Sequence, residues 1–112
     1  MQKKVFIILL AFLCLLSVSA LGSQENDYNA AQRLFQQRKY AEAANAFGRL
    51  QGYSDSDMMA VYAGAAGMIE EGYYKEAVYV FRSLEGYRMW EWYIDYANAR
   101  SNEATGYLVD AV

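Results

Sequence analysis

Histidine and proline are missing from this chain of 112 residues, and cysteine occurs once, as Cys14. Without histidine there is no Ser-His or Cys-His pair and no ordinary zinc set. A lone cysteine makes no internal disulfide. Positive charge is also scarce, with ten Lys and Arg against thirteen Asp and Glu. That balance argues against nucleic acid or an anionic lipid surface as partner, because phosphate binding needs clustered cations. No glycine-rich phosphate loop, calcium loop or nucleotide fingerprint is present, and nothing calls for a cofactor.

The N-terminus carries an address. Lys3 and Lys4 precede an unbroken apolar run, Val5 to Leu16, followed by Ser17, Val18, Ser19 and Ala20. A cationic start, about a dozen apolar residues and small residues at the cleavage site describe a secretory signal peptide over 1–20. The run is shorter than the roughly 20 residues of a spanning helix, although an uncleaved anchor is the alternative. Phe12 and Leu13 precede Cys14, where lipoprotein processing needs small residues. Cleavage after Ala20 leaves eight basic and thirteen acidic residues and no cysteine. The expectation is an exported protein, periplasmic or secreted, with no stable membrane span after cleavage.

An internal match at an offset of 34 residues organises the rest. Tyr40 to Tyr53, YAEAANAFGRLQGY, aligns with Tyr74 to Tyr87, YKEAVYVFRSLEGY, with seven of 14 positions identical. The pairs are Tyr40/Tyr74, Glu42/Glu76, Ala43/Ala77, Phe47/Phe81, Leu50/Leu84, Gly52/Gly86 and Tyr53/Tyr87. Upstream, Tyr28 and Ala31 match Tyr62 and Ala65, and Tyr62, Ala63 and Ala65 recur as Tyr96, Ala97 and Ala99. A fixed period of this length marks stacked helix–turn–helix units. Apolar residues three and four apart predict helices over 25–37, 40–51, 57–71, 74–85 and 89–104. Gly72 and Gly106 stand where a first helix stops, Gly52 and Gly86 where a second one does. Ser54 with Asp57 reads as a weak capping box. Gly64 and Gly67, inside 57–71, read as places of close helix approach, and that helix carries two apolar stripes, Val61–Ala65–Met68 and Met58–Tyr62–Ile69.

These residues resemble the tetratricopeptide repeat family. The small residues are Ala31 and Ala65, the turn glycine is Gly72, and the aromatic–alanine–aromatic run reads Tyr40, Ala43, Phe47 and again Tyr74, Ala77, Phe81. The resemblance implies an all-α, right-handed helical-repeat solenoid of about two and a half helix-turn-helix units. Residues 21–27 form a linker and the start of the first helix. The units are 28–53, 54–87 and a partial 88–112. Arg38 stands where the first turn would carry glycine. Asp95, Asn98 and Asn102 match Val61, Gly64 and Met68, which leaves the register of the third leading helix open between that stripe and Trp90–Ile94–Ala97. A partial last unit implies a longer array, or another surface covering that end.

By the same resemblance, the concave face carries Tyr28, Gln32, Phe35, Tyr62, Ile69, Tyr93, Tyr96 and Arg100. A tyrosine ladder suits peptide or glycan contacts; the alternative is that these rings only pack between helices. Trp90 and Trp92 lie about 200° apart around a helix, so one of them sits at an edge or a partner surface. Glu70, Glu91 and Glu103 are the carboxylates a glycan-cleaving site would use. The functional expectation is a non-catalytic scaffold binding a protein or peptide in a groove of stacked helices. The alternatives are self-association through the uncapped C-terminal repeat, and glycan binding or cleavage.

Overall fold

The structure is a computed structural model that describes residues 22–110, with side chains as far as residue 105. The segment expected to be a signal peptide, with Cys14, lies outside the described residues. Among the described residues five helices follow one another: α1 (22–36), α2 (Tyr40–Gly48), α3 (Ser56–Glu70), α4 (Tyr74–Ser83) and α5 (Trp90–Asp110). Among the described residues there is no strand, and no described helix is long and apolar enough to cross a membrane.

The turns repeat atom for atom at the sequence period. At the end of α1 the Arg38 N–H donates to the Phe35 carbonyl and the Lys39 N–H to the Leu34 carbonyl, both at 2.9 Å. At the end of α3, Gly72 donates to Ile69 at 3.1 Å and Tyr73 to Met68 at 2.8 Å. This is a Schellman closure, which requires a left-handed residue after the helix. Gly72 supplies it at φ 90°, and Arg38 adopts it at φ 63° despite its side chain. The loops after α2 and α4 correspond as closely. Gly52 and Gly86 have φ 80° and 83°, while Ser54 and Arg88 have φ 51° and 48°. Both second helices are shorter than 40–51 and 74–85 predict. Leu50 and Leu84 turn their N–H groups three residues back, to Phe47 and Phe81, and the chain leaves the helix before reaching glycine.

Each helix packs on the next: α2 on α3, α3 on α4, and α4 on α5, which also touches α3. Tyr28 and Phe35 join α1 to α2 and α3 through edge-on contacts with Phe47 and Tyr40 and a tilted one with Tyr62. Ala31, Ala43, Phe47, Ala63, Ile69, Ala77, Phe81 and Ala97 are fully buried, and Ala65 nearly so. Alanine recurs because a methyl group lets backbones approach while phenylalanine fills the space beside it. Tyr40 and Tyr74 are half-buried against this core.

Four details differ from the sequence expectation. Ser54 does not cap α3; Asp55 holds the N-cap position without a side-chain cap bond. Gly67 does meet α2, since a Cβ there would lie 3.3 Å from the Tyr40 Cβ, whereas a Cβ on Gly64 would meet nothing. The two α3 stripes are open at their ends, with Met58 41% and Val61 46% exposed. At Val61 that exposure removes the conflict with its counterpart Asp95, whereas Met68 packs against the core and its counterpart Asn102 does not. Asp95, Asn98 and Asn102 are exposed as well, while Ala97 is buried and Trp90 and Ile94 pack against the core. Finally, α5 continues through Gly106 to Asp110 instead of turning. One helical glycine costs about 1 kcal/mol against alanine, too little by itself to stop a helix. The described residues thus hold two helix pairs and one long fifth helix. Ala99 is exposed on α5, whereas its counterparts Ala31 and Ala65 are covered.

Candidate functional site

An open groove forms where three separated parts of the chain meet. The end of α1 contributes Phe35 and Gln36, and the following turn and the start of α2 contribute Arg38 and Tyr40. The last turns of α3 add Ala66 and Glu70, and the first turns of α5 add Trp92, Tyr93 and Tyr96. The groove encloses about 490 Å³.

Its walls are aromatic and mutually braced. Trp92 and Tyr96 are one helical turn apart and stack nearly parallel, with centroids 5.1 Å apart and planes at 9°. Tyr93 meets Trp92 edge-on and stacks on buried Phe81 at 4.8 Å. Beneath them lies Tyr62, only 3% exposed, touching Phe35, Phe81, Tyr87 and Tyr93. Burial raises the Tyr93 hydroxyl well above its ordinary value, and neighbouring Tyr62 and Tyr40 add to the rise. Such a hydroxyl stays protonated and able to donate.

Charge is confined to the rim. Arg38 reaches Glu70 at 3.0 Å, both of them substantially exposed. Hydrogen bonds to Tyr40 and then to Glu70 hold the guanidinium charged. On its other side this pair bounds a second depression of about 300 Å³, lined by Ala41, Gly64, Gly67, Met68 and Glu71. Arg100 donates to the Tyr96 hydroxyl at 2.8 Å and sits over that ring. Glu91 and Glu103 are exposed elsewhere on α5 and do not line the groove with Glu70. Among the described residues no group of three or more acidic residues is close enough to hold a metal ion.

A second cluster lies outside the groove and ties the molecule together. Tyr28 of α1 and Tyr87 of the α4–α5 loop donate to the two oxygens of Asp55, and Arg88 reaches one of them at 2.9 Å. Burial pushes the Asp55 carboxyl up, but the bonds from Tyr28, Tyr87 and Arg88 outweigh it and hold the group at about 2. The Tyr87 hydroxyl is pushed up to about 12, by burial and by its bond to that carboxylate.

Of the residues expected on one concave face, Phe35, Tyr93 and Tyr96 do line the groove, and Arg100 stands beside Tyr96. Tyr62 and Ile69 are buried and offer no surface. The rings of Phe35, Phe81, Tyr87 and Tyr93 close over Tyr62. Tyr28 is committed to Asp55, Phe47 and Tyr53. Gln32 is half-buried on α1 and does not line the groove. Trp92 is the tryptophan on the open side, 51% exposed, while Trp90 packs against the core. Sequence reasoning missed Gln36, Arg38 and Ala66 as lining residues and gave Tyr40 only a structural part; it named Glu70 only for a glycan-cleaving site and left open which of Trp90 and Trp92 faces outward. For Arg38 the signal was a bulky residue at the position that Gly72 occupies in the other half of the repeat. No family model, curated protein or solved structure matches this chain.

Proposed function

We propose that this chain is an exported, non-catalytic scaffold of tetratricopeptide type, a right-handed array of helix pairs that binds an extended protein or peptide segment in the groove between α1, α3 and α5. The architectural half rests on equivalence at the period of 34. Arg38 and Gly72, Ser54 and Arg88, and Gly52 and Gly86 share left-handed backbone conformations. The handedness and the family rest on the resemblance carried by Ala31, Tyr40, Ala43, Phe47 and their counterparts. Export rests on Lys3, Lys4 and the apolar run after them.

One observation carries the functional half. Phe35, Tyr40, Trp92, Tyr93 and Tyr96 come from three segments and converge on an open groove, while Phe81, stacked behind Tyr93, is sealed. Aromatic anchors in a concave site supply large contact area at little entropic cost. The test is selection of binders from a displayed peptide library. Selected peptides should lose affinity on Tyr96→Ala and on Trp92→Ala. Binders indifferent to both substitutions would place recognition elsewhere, and binding of cell-wall oligosaccharides in place of peptides would favour the glycan reading.

Self-association is the second reading, favoured by exposed Ala99 on the face that α1 and α3 keep covered. Sedimentation decides it. A monomer at high concentration removes it, and a dimer weakened by Ala99→Glu supports it.

A further inference from the structure

We infer that Asp55 is the positioning residue of the groove: from outside it, its carboxylate ties α1 to the start of α5 and so fixes the spacing of the two walls. This rests on the peptide-groove reading and adds what holds that groove in shape.

The carboxylate joins two elements that carry opposite walls. Tyr28, which donates to one Asp55 oxygen, stands seven residues before Phe35 on α1. Seven residues are about two helical turns, so both side chains leave α1 on the same face. Phe35 lines the groove. The other oxygen is held by Tyr87 and Arg88, the residues that lead into α5. The Trp90 N–H donates to the Tyr87 carbonyl at 3.3 Å and the Tyr93 N–H to the Met89 carbonyl at 3.1 Å. The first turn of α5 is therefore built on the segment that the carboxylate grips, and it presents Trp92 and Tyr93 to the groove. A second link between the walls is Tyr62, whose ring touches both Phe35 and Tyr93. One contact between two helices leaves them free to rotate about it, whereas two separated contacts fix their angle.

Asp55 forgoes the task its place in the chain suggests. It holds the N-cap position of α3, where an aspartate ordinarily accepts from the N–H groups of its own helix, yet it makes no such bond. Both oxygens are spent on residues 27 to 33 positions away. Nor does the repeat require the acid. At the offset of 34 the tyrosines recur, Tyr28 as Tyr62 and Tyr53 as Tyr87, whereas the position matching Asp55 is Met89. Ring packing is thus periodic, and the carboxylate tie is particular to α1 and α5. Charge-assisted bonds are the stronger kind, and the two tyrosine bonds are partly buried. The Arg38–Glu70 pair at the rim is exposed and screened by solvent, so it cannot hold the walls in its place.

Spin labels on Arg33→Cys of α1 and Glu91→Cys of α5, both exposed positions, read the spacing of the walls without any peptide. The full chain carries Cys14→Ser, so that only the two labelled thiols remain. Asp55→Asn should shift the distance distribution to longer values and broaden it. Asp55→Glu keeps the charge and should recover part of the shift. Ala43→Gly, at a fully buried position of α2, controls for loss of stability alone and should leave the distribution as it is. Circular dichroism shows whether each variant is folded, and if Asp55→Asn is not, Tyr28→Phe decides, because it removes only the bond to α1. Peptides from the library selection should bind Asp55→Asn about tenfold more weakly. An unchanged distance in the folded variant overturns the inference. So does an equal change in Ala43→Gly, or a peptide affinity that Asp55→Asn leaves intact. A selection that yields no peptide removes the groove reading and not the tie, which the distance then decides.

Discussion

Tyr28 and Tyr62 make the same contact one repeat apart: each sets its ring edge-on to a buried phenylalanine, Phe47 and Phe81 respectively, with centroids 5.5 Å apart in both cases. The correspondence extends to a second ring, Tyr53 beside Tyr28 at 5.8 Å and Tyr87 beside Tyr62 at 5.6 Å. The hydroxyls diverge. Tyr28 meets the Asp55 carboxylate, while the position matching Asp55 beside Tyr62 is Met89, which has no carboxylate to offer. One packing solution therefore serves a partly exposed end and a sealed interior.

Equivalent surroundings predict equivalent energetics. Phe47→Ala and Phe81→Ala, both at fully buried positions, should each cost about 3–5 kcal/mol. Urea denaturation of the two variants checks this. Losses differing by more than about half would show that the two units are not alike in depth.

The two internal glycines of α3 should respond differently. Gly64→Ala meets open space and should stabilise by about 0.5–1 kcal/mol. Gly67→Ala puts a methyl 3.3 Å from the Tyr40 Cβ, so α2 must give way and the gain should vanish or reverse. Thermal melts of both variants distinguish the cases, and equal gains would show that α2 and α3 are less closely apposed.

Asp55 sets an acid limit. Its carboxyl is held at about 2 when folded, against 3.8 for the free group, so its contribution is present above about 4 and lost as pH falls toward 2. Melting temperature followed over that window should drop, and Asp55→Asn should flatten the drop. Tyr87 sets the alkaline counterpart. Its folded value near 12 lies above the ordinary 10, so its contribution is present below 10 and is lost as pH rises toward 12. Tyr87→Phe should remove that second slope.

Ser56 is fully buried at the start of α3, and its hydroxyl has no hydrogen-bond partner. Removing an unsatisfied buried hydroxyl recovers a desolvation cost, so Ser56→Ala should stabilise by about 1 kcal/mol. A loss in chemical denaturation would reveal an ordered water bridging that oxygen.

Reading a site from a chain depends on how far apart its parts lie. Phe35, Tyr93 and Tyr96 were legible through the family resemblance, which implies a binding face made by the first helices of successive units. Arg38 with Glu70, and Phe35 with Trp92, were not, because each pair joins residues from different helices or their connecting turns.

What the amino-acid sequence determined by itself was local and periodic. The spacing of Ala43 and Phe47 specifies a helix with one buried stripe, glycine at 52, 72 and 86 marks three of the places where the backbone turns left-handed, and the repeat of both specifies the pairing. Tertiary structure alone decided which aromatic rings stay open. Burial depends on how far each helix is rotated about its own axis and how closely its neighbours approach, and a period sets neither. Hence Tyr62 is sealed and Trp92 is half open, although both stand on leading helices. The same packing leaves Val61 exposed on a stripe that reads as apolar throughout.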